Sequence, residues 1–296
     1  DRRAKSDLLL TIFSTKNVCR MEITMQTKGI RSDNHVHTQF SSDSQTPMEQ
    51  MLKQAIACGL TSICFTDHMD MDYPEGEFDL DTDAYVKRVL EVQEEYKDRI
   101  RICLGVELGM QEHLKERQDA YLAKYPFDFV IGSMHLIHGE DPYFGKIYEK
   151  LGDGEAYREY FRATLENLKR APKIHTLGHL DYAVRYGKEK DKYYSYERFS
   201  EEIDAILQYL IDHQIALEVN TAGLRMLGFT NPHPDVIRRY RELGGELITI
   251  GSDGHVPEYL GYGFDRLPAL LSDCGFDSYA VFRQGKPEFR KVLGKI

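Results

Sequence analysis

From residue 31 the chain alternates short apolar runs with longer amphipathic stretches. Runs at 32–37, 61–66, 100–106, 127–133, 174–179, 215–220 and 246–251 have the length and boundaries of strands. Between them, apolar residues recur at helical spacing over about 47–58, 83–98, 112–124, 154–170, 195–213 and 233–243. Pro47 suits the start of the first helix, where a missing N–H costs nothing. Gly59 and Gly244-Gly245 suit helix C-termini. A further helix is expected near 276–284.

Seven strands alternating with helices predict an α/β fold with a parallel sheet. Polar residues stand at the C-terminal end of nearly every strand. A closed barrel would bring all those ends to one mouth, whereas an open sheet gathers ligands at one switch point. No Gly-x-Gly-x-x-Gly follows any strand, and no linker or repeat interrupts the pattern after residue 31. The expectation is a single-domain barrel over 30–296, preceded by an extension of unassigned role over 1–29. The apolar run Leu8–Phe13 in that extension is too short for a secretory signal, and Met21 and Met25 are alternative starts.

Composition narrows the partners. No apolar run approaches the ~20 residues of a membrane span. A net charge of −10 argues against a long nucleic acid held by a basic surface. The five cysteines are scattered, without Cys-x-x-Cys, which points to free thiols and a reducing cytoplasm.

The strand ends carry the chemistry. His35-Val36-His37 presents two imidazoles on one side of a strand, with Asp43 after a polar run. Later runs end in Asp67-His68, Glu107, Ser133-Met134-His135, His179-Leu180-Asp181, Glu218-Val219-Asn220 and Asp253-Gly254-His255. Six of the eleven histidines therefore sit at predicted strand ends, too many N and O donors for one tetrahedral ion. They suit two or three divalent ions, and without a thiolate among them zinc, manganese and iron all stay open. His233, between two prolines, fits a helix start better than a ligand.

His-Val-His-Thr with Phe-Ser-x-Asp, then Thr-Asp-His, Gly-Val-Glu, Ser-Met-His, Gly-His-Leu-Asp and Ser-Asp-Gly-His resemble the PHP (polymerase and histidinol phosphatase) family over about 31–266. Thr-Asp-His before an acidic stretch, and Gly-His-Leu-Asp-x-x-x-Arg-Tyr, look most like its monofunctional histidinol-phosphate phosphatases. The resemblance implies a distorted (β/α)7 barrel with three metal sites. The first would take His35, His37, Glu107 and Asp253. The second would share Glu107 and add His135 and His179, and the third would take Asp43, His68 and His255. It also implies hydrolysis of L-histidinol phosphate, in histidine biosynthesis. The ions would make the mouth positive, attract a phosphate monoester, and lower the pKa of a coordinated water towards ~7. Asp253 is the expected proton donor to the leaving alkoxide, with Glu107 and His255 beside it in the catalytic set, and Asp67 is expected to orient a ligand imidazole.

Arg185 is the first choice for a bidentate phosphate clamp, Arg225 the second. Glu218 and Asn220 are expected in the pocket, Glu218 against a substrate ammonium. Seven acids between Asp70 and Asp83 suit a solvated loop entering a helix, and could also form a lid over a cationic substrate. Two other readings compete. A PHP-type phosphoesterase could act on a nucleotide or oligonucleotide end, and a non-catalytic module would lack ligands, of which none is missing. An amidohydrolase barrel also opens with His-x-His, but Asp43, His68 and His255 fit it poorly.

Overall fold

The computed structural model describes residues 29–292. The expected extension lies outside the described residues but for Gly29. The barrel strands are β1 (Ser32–Val36), β2 (Ser62–Phe65), β3 (His68–Met69), β4 (Arg101–Gly109), β5 (Phe129–Ser133), β6 (Thr176–Leu177), β7 (Ala216–Asn220) and β8 (Ile248–Gly251). All pair in parallel, in the order β1-β2-β4-β5-β6-β7-β8, with β3 added beside the top of β4. The ring is completed where β8 returns to β1. Asp253 N–H donates to His35 O at 2.9 Å and His37 N–H to Gly254 O at 3.0 Å, with a bridge between Val36 and Gly254. The barrel is distorted by a register shift in β1 between Asp33 and Val36 and by the two-residue β6.

The helices pack outside. They are α1 (Met48–Ala57), α2 (Thr82–Tyr96), α3 (Lys115–Lys124), α4 (Lys146–Leu151), α5 (Asp153–Arg170), α6 (Ser200–Asp212), α7 (Ala222–Met226), α8 (Pro234–Glu242) and α9 (Leu267–Asp273). In α6 the fully buried Ile203, Ile206, Leu207 and Leu210 follow the i, i+3, i+4, i+7 stripe. Each such side chain contributes about 1.5–3 kcal/mol, so an Asp at Ile206 would break the face. Gly59 (φ +77°) ends α1, with Leu60 N–H reaching back to Ala55 O at 2.9 Å. Among the described residues no helix is long and apolar enough to cross a membrane.

The C-terminal segment differs from expectation. Instead of a helix near 276–284, α9 ends at Asp273 and a hairpin follows, β9 (Ser278–Arg283) and β10 (Lys286–Lys291). Gln284 (φ +48°) and Gly285 (φ +70°) form its two-residue turn, which matches strand twist. Ala280 and Phe282 cluster with Cys64, Cys103, Phe129, Ile131 and Ala216, the inward residues of the strands, and so close the barrel floor. Cys64, Cys103 and Cys274 are buried free thiols, Cys58 is also buried, and Cys19 lies outside the described residues.

Candidate metal centre and active site

Strand alternation selects the side chains that enter the mouth. Counting up β4 from the floor, Cys103, Gly105 and Glu107 point inward, and Glu107 ends up fully buried at the centre of a histidine ring. Its Oε2 lies 3.2 Å from His35 Nε2, 3.4 Å from His37 Nε2 and 3.0 Å from His68 Nδ1. Its Oε1 lies 3.3 Å from His135 Nε2 and 3.0 Å from His179 Nε2. Asp253 Oδ1 stands 3.8 Å from His35 Nε2 and 3.6 Å from His37 Nε2. Asp43, at the solvent edge, puts Oδ2 3.0 Å from His255 Nε2 and 3.6 Å from His68 Nε2. All nine residues expected as ligands thus converge on one mouth.

Four overlapping triads have donor atoms close enough to share an ion: His35/His37/Glu107, His68/Glu107/His135, His35/His179/Asp253 and His37/His68/His255. The arrangement fits cations better than a self-contained network. His68 Nδ1, Glu107 Oε2, His179 Nδ1 and His255 Nε2 are buried without a hydrogen-bond partner, although carboxylate and imidazole stand about 3.0 Å apart. His35 and His37 also turn Nε2 atoms towards each other at 3.0 Å. Donors aimed at a common point, and not along each other's hydrogen-bond directions, are what ions between them would satisfy.

Neighbouring groups fix the ring orientations. His35 Nδ1 meets Glu218 Oε1 at 2.6 Å, and His135 Nδ1 meets Asp70 Oδ2 at 2.7 Å. His37 Nδ1 meets Ser41 Oγ at 3.0 Å, and Ser41 in turn donates to Asp67. Each contact frees the opposite nitrogen, Nε2, to point inward. Gly251 permits the His35–Glu218 contact, since a Cβ there would lie 2.3 Å from His35 Cβ and 2.8 Å from Glu218 Oε1. Asp253 takes a left-handed backbone (φ +54°), which aspartate tolerates better than most residues.

The charges are tightly coupled. Burial alone would raise the Glu107 carboxyl, but His35, His68 and His135 hold it well below its usual range. Burial likewise opposes ionisation of Asp253, yet His35 and Arg185 keep its carboxyl well below normal. Burial disfavours the charged form of His35, but Glu218 and Glu107 push its pKa well up. In His37, burial and then the neighbouring His255 and His68 push the pKa well down.

A cavity of about 210 Å³ opens over this cluster, and Arg185 and Arg225 both line it. Arg185 is buried, with Nε on Asn231 Oδ1 (2.8 Å), one Nη on Asp253 Oδ2 (3.2 Å) and the other on Asn220 Oδ1 (3.2 Å). Three of its five N–H groups are so used, leaving two. Arg225 stacks 4.0 Å from the Tyr259 ring centroid, and its buried Nη1 has no hydrogen-bond partner.

Several expectations need correction. Glu218 does not face a substrate ammonium: it is buried beneath the mouth, held by His35 Nδ1 and by His179 N–H at 2.7 Å. Asn220 is also beneath the cavity wall, bracing Arg185 and accepting from Ala222 N–H. Four of the acids from Asp70 to Asp83 are engaged within the fold and not over the cavity. Asp70 turns in to His135, Asp72 pairs with Arg117 and His113, Asp81 caps α2, and Asp83 bonds Tyr125 and Lys124. The residues of this loop that reach the cavity besides Asp70 are Tyr73 and Phe78. Asp67 supports His37 only through Ser41. The Asp253 carboxyl, beside His35 and Arg185, is held well below its usual range. His233 caps α8 as expected of a helix start, its Nδ1 accepting from Asp235 N–H. Sequence reading missed Asp70, Ser133 and Asn231. Ser133, which donates to Glu107 Oε1 at 2.6 Å, carried a signal, since it ends β5 two residues before His135.

The PHP domain family model matches residues 33–222. A probable histidinol-phosphatase of Clostridium acetobutylicum is 35% identical over 243 residues, 82% of this chain and 93% of that protein. The histidinol-phosphatase of Lactococcus lactis is 34% identical over 84% of this chain and 93% of its own length. The crystal structure of the Lactococcus lactis histidinol phosphate phosphatase, complexed with zinc, L-histidinol and phosphate, superposes with a TM-score of 0.81 at 32% identity. It covers 87% of this chain and 98% of that one. The putative histidinol phosphatase of Listeria monocytogenes, 19% identical with a TM-score of 0.70, shares the fold. From the match across most of the barrel and the relatives above 30% identity, the chain belongs to the PHP domain family.

Proposed function

We infer that this chain is a metal-dependent phosphoric monoester hydrolase that converts L-histidinol phosphate to L-histidinol and phosphate. The observation that carries the reading is the coincidence, around one cavity, of nine converging N and O donors with two arginines. Likeness to the zinc-, histidinol- and phosphate-bound relative supports it. Two or three divalent ions, zinc first among them, suit His35, His37, Glu107 and Asp253, then Glu107, His135 and His179, then Asp43, His68 and His255. When bound, they would supply Lewis-acid stabilisation of the phosphoryl oxygens and a nucleophilic water at neutral pH.

The chain's own residues do the rest. Glu107 faces His35, His37 and His68 with one oxygen and His135 and His179 with the other, as suits a carboxylate shared by two ions. Arg185 and Arg225 offer free N–H groups to a phosphate, Arg185 being fixed by Asn231 and Asn220 before substrate arrives. Asp253 begins ionised, so it takes one proton from the attacking water and returns it to the leaving alkoxide oxygen as the P–O bond breaks. The water's other proton stays with the phosphate. The test is a kcat/KM comparison of L-histidinol phosphate, glycerol phosphate and a nucleoside monophosphate. Histidinol phosphate is expected to lead by at least tenfold, about 1.4 kcal/mol of transition-state discrimination. Equal or better turnover of the nucleotide would replace this reading with a nucleotide phosphoesterase.

A further inference from the structure

With Glu218 held by His35 and His179 N–H, and Asp70 the one acid of the 70–83 loop that lines the cavity among the described residues, the cationic end of the substrate needs another partner. Of the carboxylates lining the cavity, Asp43, Glu107 and Asp253 face the histidine cluster. Asp70 Oδ2 bonds His135, and its Oδ1 is buried against Gly109 without a hydrogen-bond partner, too enclosed to meet a substrate ring. That leaves Asp141 among the described residues, half-buried on the loop after β5.

Two aromatic walls lead from the metal cluster to it. On one side the His68 ring lies 5.1 Å from Phe78, Phe78 lies 4.7 Å from Tyr73, and Tyr73 OH donates to Asp141 Oδ2 at 2.8 Å. On the other, His179 lies 5.0 Å from Tyr182, Tyr182 lies 5.1 Å from Tyr186, and Tyr186 packs against Tyr143. Tyr143 N–H donates to Asp141 Oδ1 at 2.7 Å. The carboxylate is therefore held by the Tyr73 hydroxyl of the first wall and by its own cap on the short turn Pro142–Phe144, which carries Tyr143 against the second. Each of its oxygens keeps a lone pair for another donor.

Resting on the histidinol-phosphatase reading above, we propose that Asp141 is the specificity-determining residue for the nitrogen-bearing ring of the substrate. It accepts a ring N–H while Tyr73, Phe78, Tyr182 and Tyr186 flank the ring. A phosphate at the metals and an imidazole at Asp141 would span the cavity, with the aromatic faces favouring the protonated ring. A monoester without such a ring gains nothing from Asp141.

Asp141→Asn tests this, because its Oδ1 can still accept from Tyr143 N–H and its Nδ2 can donate to the Tyr73 oxygen, so both neighbours stay in contact while the charge and one acceptor oxygen are lost. With L-histidinol phosphate, kcat/KM is expected to fall about 10- to 100-fold, mainly through KM. With glycerol phosphate it should change less than about twofold, and metal content not at all. L-histidinol should bind the variant at least about tenfold more weakly, while inhibition by inorganic phosphate is unchanged. Asp141→Glu should recover part of the loss. Equal losses on both substrates would overturn the proposal and make Asp141 a loop-positioning residue, as would an undiminished affinity for L-histidinol. Wild-type protein that does not prefer histidinol phosphate to glycerol phosphate would overturn the substrate reading itself, and this assignment with it.

Discussion

The mouth and the floor of the barrel are built from the same strands, yet they surround histidine differently. At the mouth, His35 is surrounded by Glu218 and Glu107, which outweigh burial and push its pKa well up. At the floor, His175 stacks near Phe129 and Phe282 with no carboxylate beside it. There burial, helped by Lys173, pushes the imidazole down to about 4. Its Nδ1 must stay unprotonated to accept Val130 N–H at 2.8 Å. Carboxylates meet the mouth imidazoles at the level where Glu107 pairs with Ile131, and no ion pair among the described residues includes the half-buried His175.

The comparison can be broken most severely at its centre. Glu107→Gln removes the one carboxylate that touches five imidazoles. Bound metal should be lost, and kcat/KM should drop by roughly a thousandfold or more, as read by elemental analysis and steady-state kinetics. Retained metal with near-normal turnover would mean that the carboxylate does not hold the ions.

Arg185→Ala acts at the same mouth without touching the histidines. A lost charge-assisted clamp of about 2–4 kcal/mol corresponds to roughly 30- to 1000-fold in kcat/KM. Metal content should stay constant, and Arg185→Lys should recover only part, since one ammonium cannot reproduce the fork. A near-normal Ala variant would shift the phosphate role to Arg225.

The smallest effect belongs to the floor. His175 is neutral when folded and titrates near 6.5 when unfolded, so between about pH 6.5 and 4 the unfolded chain binds the extra proton. Its contribution to stability is therefore complete above that window and lost as pH falls through it. His175→Asn keeps an acceptor for Val130 but does not titrate. It should flatten the fall in urea midpoint between pH 7 and pH 5 and leave neutral-pH kcat/KM unchanged. An unaltered pH slope would place the acid sensitivity elsewhere.

The mouth was far more legible in the sequence than the floor, for the same physical reason. Inward polar residues at strand ends stand out against apolar runs, so His35, His37, Glu107, His135, His179 and Asp253 announced themselves two residues at a time. The floor is closed by 279–282, in which Tyr279, Ala280, Val281 and Phe282 are buried on both faces, so no period-two polarity marked the strand. The Gln284-Gly285 turn was the signal available. Roles were harder to read than places. Glu218 stands at a strand end like the expected ligands, but sequence has no means of telling that Gly251 leaves room for His35 to reach it. Asp141 sits on a loop whose partners, Tyr73 and Tyr186, come from other parts of the chain.

The central claim is that the converging donors at the mouth hold the ions on which phosphate-ester hydrolysis depends. Stripping the protein with a chelator and restoring zinc stepwise, with metal content and L-histidinol phosphate turnover measured on the same samples, tests it directly. Activity should be abolished in the stripped protein and return as occupancy rises, reaching its maximum at two to three ions per chain. Full turnover at one ion or none would contradict it.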